Sequence, residues 1–378
     1  MIGQTPPLRL AVYLAHYPAP GGTTTAVRGF TQALGSLGHD VEVLCQGPEH
    51  RRWKEGSVTV RSFARPHWRL PFLVHPQLLA HLARRRRFDL LLLNGMFHTD
   101  LPALAIAARR SGTPYVVAPH DPYHPAVFQQ RRVRKEAYWQ LVEKWVLRGA
   151  TGIQLLAERH GTHLHRRGVV RPFVVAPNGV DAPAALPGPR LRNRRPGIVV
   201  GALGRIDVWH KGLDLLLAAV AQARAGGVDL NVVIQGRDQG DQALLRQLAR
   251  TLRIERHVTF PGPARDAMEA IANWDILAVA SRYEGFGLTA VEAMVAGTPV
   301  LCSDEAGVAE HVERARCGLV VRPTADGLAT GLRDLVARRA EWPVMGSQGQ
   351  AYARRELRWE AIAATTAAAY SRIAGRDV

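Results

Sequence analysis

The sequence predicts an α/β protein built from two doubly wound, Rossmann-like domains, and three observations lead there. Short apolar runs alternate with helical patterns along the 378 residues; those runs are continuously apolar; and the alternation stops once, at a proline-rich stretch near the middle, before it restarts. Continuously apolar strands joined by helical crossovers imply a parallel sheet covered on both faces. A chain of 378 residues exceeds one ordinary core and suits two.

The first domain is assigned to residues 1–180, with strands expected at Leu10–Ala15, Val41–Cys45, Leu90–Leu93, Tyr115–Ala118, Ile153–Leu156 and Val174–Ala176. Residues 181–196 carry four prolines and arginine-rich charge without periodicity, the composition of a linker. A second domain over 197–357 repeats the alternation, with strands at Ile198–Leu203, Val232–Gln235, Val258–Phe260, Ile276–Ala280, Val300–Ser303 and Leu319–Val321. Residues 358–378 close the chain with a helical pattern, Trp359–Ile373, apolar on one face. Ligands of such sheets bind outside the carboxyl ends of the strands, so two domains facing each other are expected to leave an interdomain cleft.

Composition narrows the class. The hydrophobic fraction of 47% is globular, no apolar run reaches the eighteen or so residues of a membrane span, and the start lacks a basic-then-apolar leader, so a cytoplasmic protein is expected. Cys45, Cys302 and Cys317 form no Cys-x-x-Cys pair, which argues for reduced buried thiols over disulfides or structural zinc. The net charge of +17 is mostly arginine spread over the whole chain, and with aromatics at 7% and no reading motif, nucleic acid is not expected as a partner. Two basic clusters stand out, Arg84–Arg87 and Arg131–Lys135. With Trp68, Phe72, Leu78, Leu79, Leu82 and Phe128 they read as an amphipathic surface for anionic lipid headgroups, or as ordinary solvated helix faces with C-terminal capping.

The most informative stretch is Ser281–Val300, in which Glu284 and Glu292 bracket the glycine loop Gly285-Phe286-Gly287 at the head of a helix, Leu288 to Ala296, stopped by Gly297 and Pro299. Glycines let an anion approach the backbone, and the helix start offers free N–H groups at the positive end of its dipole. A diphosphate suits that loop. The carboxylates then suit hydroxyls, Glu284 those of a hexose and Glu292 those of a ribose. After the first strand of the second domain, Gly204-Arg205 and Lys211-Gly212 place two cations where a diphosphate would need them. In the first domain a buried strand ends in Pro119-His120 ahead of a proline-rich loop, with His124 a second polar candidate, and the first βα turn carries Gly21-Gly22. Three-glycine dinucleotide spacing is missing from that turn, so nicotinamide and flavin cofactors are not favoured.

These motifs, in this order, resemble the family-4, group 1 retaining glycosyltransferases of GT-B fold. The likeness is strongest over 197–322, at Glu284-Gly-Phe-Gly-Leu288, Glu292-Ala-Met294 and Gly297-Thr-Pro-Val300, with Gly204-Arg205 and Lys211-Gly212 ahead of them. Thr289 stands where relatives most often have proline, and Asp121 where glycine is frequent. The resemblance implies a C-terminal helix crossing back to the first domain and a first domain that binds acceptor. It also implies a donor site made by Gly21, Gly22, Arg205, Lys211, Glu284, Gly285, Phe286, Gly287, Leu288 and Glu292, with His120, Glu284, Arg205 and Lys211 at the reaction centre. Further contacts are suggested for the Asn178-Gly179 turn, Gly236, the Phe260–Gly262 turn and Glu310, each with a structural reading beside it.

The expected activity is retaining, metal-independent transfer of a hexose from a nucleoside-diphosphate sugar to a hydroxyl of a saccharide or lipid-linked acceptor, in surface polysaccharide or glycolipid synthesis. No cofactor and no metal are expected: Asp-x-Asp occurs nowhere, and the cations and helix dipole replace the ion. Alternatives on the same fold are a phosphorylase, a sugar-nucleotide epimerase or an inactive sugar-nucleotide-binding scaffold. A peripheral contact with anionic membrane would follow from the lipid reading of the basic clusters.

Overall fold

The computed structural model describes residues 6–65, 74–85, 87–121, 123–181 and 197–376. Contacts divide the chain into two compact units, Met1–Gly179 with Trp359–Val378, and Val180–Arg358. Most of the linker stretch, together with Trp68 and Phe72 of the basic-surface reading and Arg86 of its first cluster, lies outside the described residues.

In the first unit, β1 (Arg9–Tyr13), β2 (Asp40–Gly47), β3 (Arg51–Glu55), β4 (Val58–Ala64), β5 (Leu90–Asn94), β6 (Tyr115–Ala118), β7 (Gly152–Leu155) and β8 (Phe173–Val175) form one sheet. Their order is β3-β4-β2-β1-β5-β6-β7-β8, so the chain reverses its direction of winding at β1 and β5. Strands β5, β6 and β7 are buried along their whole length, as continuously apolar runs require. The hairpin β3–β4 is antiparallel and departs from the all-parallel expectation. Its outer strand, Arg-Arg-Trp-Lys-Glu, is charged because it is an edge, and such a strand carries no apolar signal. Glu55 at its end accepts hydrogen bonds from Tyr17 (2.7 Å) and Arg28 (2.7 Å), tying the hairpin to the first βα turn.

The second unit holds β9 (Ile198–Leu203), β10 (Leu230–Gln235), β11 (Val258–Thr259), β12 (Ile276–Val279), β13 (Val300–Ser303) and β14 (Gly318–Val321) in the order β11-β10-β9-β12-β13-β14, all parallel. Its winding reverses between β9 and β12, and the loops that follow those two strands carry Arg205, Lys211 and Glu284. Cys45, Cys302 and Cys317 are buried free thiols.

The last helix, Trp359–Ile373, belongs to the first unit, as the predicted crossover requires: Trp359, Ile362, Ala363, Ala367 and Tyr370 join its core beside the helix Gly22–Ser36. Two glycines receive Trp359. A Cβ on Gly29 would lie 2.2 Å from the indole Nε1, and one on Gly179 would lie 2.8 Å from the ring. Gly179 therefore answers to packing in the Asn-Gly turn. Tyr370 adds an edge-to-face contact with Phe30, centroids 6.3 Å apart, and a hydrogen bond to Gln154.

The lipid-surface reading of the basic clusters is corrected in its members. Leu78, Leu82 and Phe128 are core residues, 0%, 3% and 3% exposed. Arg87 donates to the buried Glu42 (3.2 Å), which Arg61 (2.8 Å) and His81 (3.0 Å) also reach. Burial would raise the Glu42 carboxyl, yet these three partners hold it at about 2.

Candidate functional site

Strand β9 ends at Leu203 and the chain turns at Gly204, where the backbone of Gly236 approaches so closely that a Cβ there would sit 1.6 Å from the Gly204 carbonyl oxygen. Gly236 thus serves a backbone crossing. The loop continues into the short helix Val208–Lys211, capped by Asp207, whose carboxylate accepts from His210 N (2.9 Å). Lys211 at its end forms an ion pair and hydrogen bond with Glu284, the two side chains being 23% and 15% exposed. Ser281 Oγ reaches the same carboxylate oxygen at 3.3 Å. Burial alone would push the Glu284 carboxyl up, but the Lys211 charge and the hydrogen bonds outweigh it, so Glu284 is held below the usual carboxylate range and is ionised at neutral pH.

The loop after β12 is braced from two sides. Glu284 N donates to Glu305 O (3.2 Å), and Phe286 O accepts from Val308 N (2.8 Å), so the segment between Ser303 and Glu310 backs the glycine loop. Glu310 itself pairs with Arg314 (3.3 Å) on its own helix. Arg282 grips Asp214 with two hydrogen bonds (2.8 and 2.7 Å) and lies over Trp209 at 4.6 Å, fastening the β12 loop to the β9 loop. Beside it, His210 stacks on Tyr283, centroids 4.4 Å apart and 16° from parallel. The sequence drew no attention to Arg282, His210 or Tyr283. Their adjacency to Lys211 and Glu284 in the chain was the only signal.

Gly287 precedes the helix Leu288–Ala296 at φ +102°, a left-handed backbone that favours glycine, and no side chain caps that helix start. Its first amides are therefore available to an anion. Arg205, Lys211, Ser281 and Thr289 line one pocket with Gly204 and Ala280. Phe286 is buried, 2% exposed, with its ring 5.6 Å from His311, so its side chain is packed away and only its backbone is left to face a ligand. One turn into the helix, Glu292 has no hydrogen-bond or ion-pair partner among the described residues. Burial, with the negative charge of Asp266 added, pushes its carboxyl up to about 7.

In the first unit, His120 follows β6 at φ +60°, with Nε2 2.7 Å from Asn94 Oδ1, and Asn94 in turn donates to Tyr13 O (3.0 Å). Burial lowers the imidazole to about 4, so it is neutral at neutral pH. His120 and Asn94 line a small pocket with Gln154, Asn178, Phe30 and Trp359. His124 accepts from Ala126 N (3.1 Å) and caps the helix Pro125–Gln129, which assigns it a structural role. Gly21 and Gly22 are exposed, and a Cβ at either would meet nothing within 4 Å, so packing does not demand them. The buried Tyr13 and Asp100 and the half-buried Gln46 form a polar cluster nearby, Tyr13 OH bonding Asp100 and accepting from Gln46 Nε2 (2.7 Å); no motif announces it.

Residues 191–351 match the family described as glycosyl transferases group 1, and residues 21–179 match the glycosyl transferase 4-like domain. The chain belongs to the group 1 glycosyl transferases. A relative of similar sequence is the 2-deoxystreptamine glucosyltransferase of Streptomyces kanamyceticus, 31% identical over 234 residues, 58% of this chain and 60% of that one. The chain thus matches well under two thirds of that relative's length. Among solved structures, sucrose-phosphate synthase from Thermosynechococcus elongatus superimposes with a TM-score of 0.79 at 22% identity, covering 98% of this chain and all of that one. Anabaena HepE, in complex with UDP-glucose, gives 0.72 at 22% identity over 97% and 100%. The fold shared with these proteins is GT-B. No helix among the described residues is long and apolar enough to cross a membrane.

Proposed function

We propose that this chain is a glycosyltransferase that moves a hexose from a nucleoside-diphosphate sugar to a hydroxyl of a saccharide or lipid-linked acceptor, with retention at the anomeric carbon and without a metal, in surface polysaccharide or glycolipid synthesis on the cytoplasmic side. The observation that carries this reading is the pocket in which Arg205 and Lys211 meet the uncapped start of Leu288–Ala296. Three sources of positive potential converge where a leaving diphosphate gains charge, and they supply what a metal ion would otherwise provide. HepE was solved with a nucleoside-diphosphate sugar, which supports the donor class.

In this scheme Glu284 accepts from hexose hydroxyls and Glu292 from those of the ribose, while His120 orients the sugar. The bond from the anomeric carbon to the phosphate oxygen breaks as the acceptor oxygen bonds to the same face. The acceptor proton passes to the departing diphosphate.

Glu292 gives the test. The strong, charge-assisted bonds by which one carboxylate holds both ribose hydroxyls need it ionised, and in the free protein it is half ionised only near pH 7. Donor affinity is therefore expected to fall about tenfold per pH unit below 7 and to level off above it. The Glu292→Gln protein should bind UDP-, GDP- and ADP-sugars more weakly at pH 8 and lose that pH dependence; parent-like binding with the dependence intact removes the ribose role. With chelator present, the product should keep the donor's anomeric configuration by NMR. Inversion, or a requirement for added metal, rejects the mechanism.

We further propose a contact between anionic membrane and residues 132–149. There Val133 is 85% exposed, Leu141 79% and Trp145 41%, spaced four or eight apart with the exposed Ala137 between, and Arg132, Arg134 and Arg148 flank them. Apolar side chains rimmed by cations suit a headgroup boundary. Leu141→Glu with Trp145→Glu should abolish sedimentation with phosphatidylglycerol vesicles at about 0.1 M salt, near one Debye length of 10 Å, and leave donor binding unchanged. Undiminished sedimentation would reject the surface.

A further inference from the structure

Glu143 is among the most deeply buried carboxyl groups in the molecule, 2% exposed, and no basic side chain pairs with it among the described residues. It ends a π-helical turn, Trp139–Glu143, a wide turn that carries Leu141 outward and Glu143 inward. One of its oxygens, Oε1, accepts from Tyr123 OH (2.6 Å) and from Phe97 N (3.1 Å). Phe97 lies in the loop after β5 and Tyr123 in the loop after β6. Both adopt left-handed backbones, φ +56° and +50°, as does His120 at +60°. Non-glycine residues hold such conformations only when their surroundings impose them. Aromatic contacts close the assembly: Phe97 to Tyr123 at 6.1 Å and Tyr123 to Trp139 at 5.2 Å.

His120 stands three residues before Tyr123, and its partner Asn94 three before Phe97, so the His120–Asn94 bond (2.7 Å) spans the same two loops that Glu143 joins. We infer that Glu143 is a positioning residue for His120: a single buried carboxylate oxygen sets the spacing of the β5 and β6 loops and, through it, the place of the imidazole. Burial pushes the Glu143 carboxyl up to about 7 while both hydrogen bonds oppose the rise. A neutral acid or an amide keeps the accepting oxygen, so the role lies in that oxygen and not in the charge.

The consequence for transfer rests on the function proposed above; the placement of His120 does not. In the full-length protein labelled at histidine Cε1, with the His120 signal assigned by its loss in His120→Gln, the parent ring should stay neutral down to about pH 5, as its burial requires. Glu143→Leu is expected to raise the His120 midpoint by at least about one pH unit and to lower kcat roughly tenfold, with donor KM within about twofold. Glu143→Gln should match the parent in both. Tyr138→Phe, which removes a hydrogen bond to His98 O (2.8 Å) in the same region, should leave His120 unmoved. Should Glu143→Leu fail to fold by circular dichroism, Tyr123→Phe is read in the same way with a smaller shift. An unmoved His120 midpoint in the folded variant overturns the inference; a shifted midpoint with no transfer by the parent supports it and rejects the transferase reading instead.

Discussion

Lys211→Ala is expected to lower turnover by about 10²–10³-fold, the usual cost of removing one preorganised group from a developing negative charge, equivalent to roughly 3–4 kcal/mol. Two effects add. The ammonium that the proposed scheme sets against the leaving diphosphate is lost, and Glu284 loses the charge that holds its carboxyl down. A carboxyl depressed in the folded state stabilises that state above its unfolded pKa, and the gain disappears as pH falls through the folded value. Without Lys211 the gain is smaller at pH 7, and burial carries the Glu284 carboxyl upward, so the variant's activity should shift to higher pH. Single-turnover rates from pH 6 to 9 measure both effects. Turnover equal to the parent's across that range would separate Lys211 from the chemistry. Arg205, which makes no side-chain bond among the described residues, serves as the companion: Arg205→Ala should weaken nucleoside-diphosphate binding with no change in thermal stability.

Trp359→Ala is expected to cost about 3–5 kcal/mol, the range for emptying a buried indole site that cannot collapse. Trp359 is 4% exposed and its ring lies against Gly29 and Gly179, which have no side chains to move into the space. The loss falls on the first unit, where Trp359–Ile373 supplies part of the core. For a unit of this size, thermal denaturation should come about 6–20 °C lower. Trp209→Ala offers the contrast, since Trp209 is 38% exposed and its loss should move the midpoint little. Equal midpoints for the two variants would refute the packing account.

Much of the fold was legible because buried parallel strands report themselves as unbroken apolar runs. β5, β6, β9, β12 and β13 fall within a residue or so of their expected limits. The β3–β4 hairpin was not legible: an edge strand of Arg, Trp, Lys and Glu has no period that separates it from a loop. In the candidate site, Arg205, Lys211, Glu284, Gly287 and Glu292 were singled out by residue type and spacing together with the resemblance to the family. Arg282, His210 and Tyr283 were missed because they act by holding other side chains, and such work leaves no motif. Leu78, Leu82 and Phe128 were assigned to a surface from their basic neighbours, although each is packed inside.

By itself the sequence determined the two doubly wound sheets, the family, the glycine loop and the cations after β9, since each is written in a local pattern of hydropathy or a short run of residue types. Only the tertiary structure decided that Lys211 pairs with Glu284, that Glu292 is left without a partner among the described residues, that Trp359 needs two glycines, and that Glu143 joins the loops around His120. Those facts depend on which side chains meet across tens to hundreds of residues. Close packing selects such meetings from many that the same local patterns would allow.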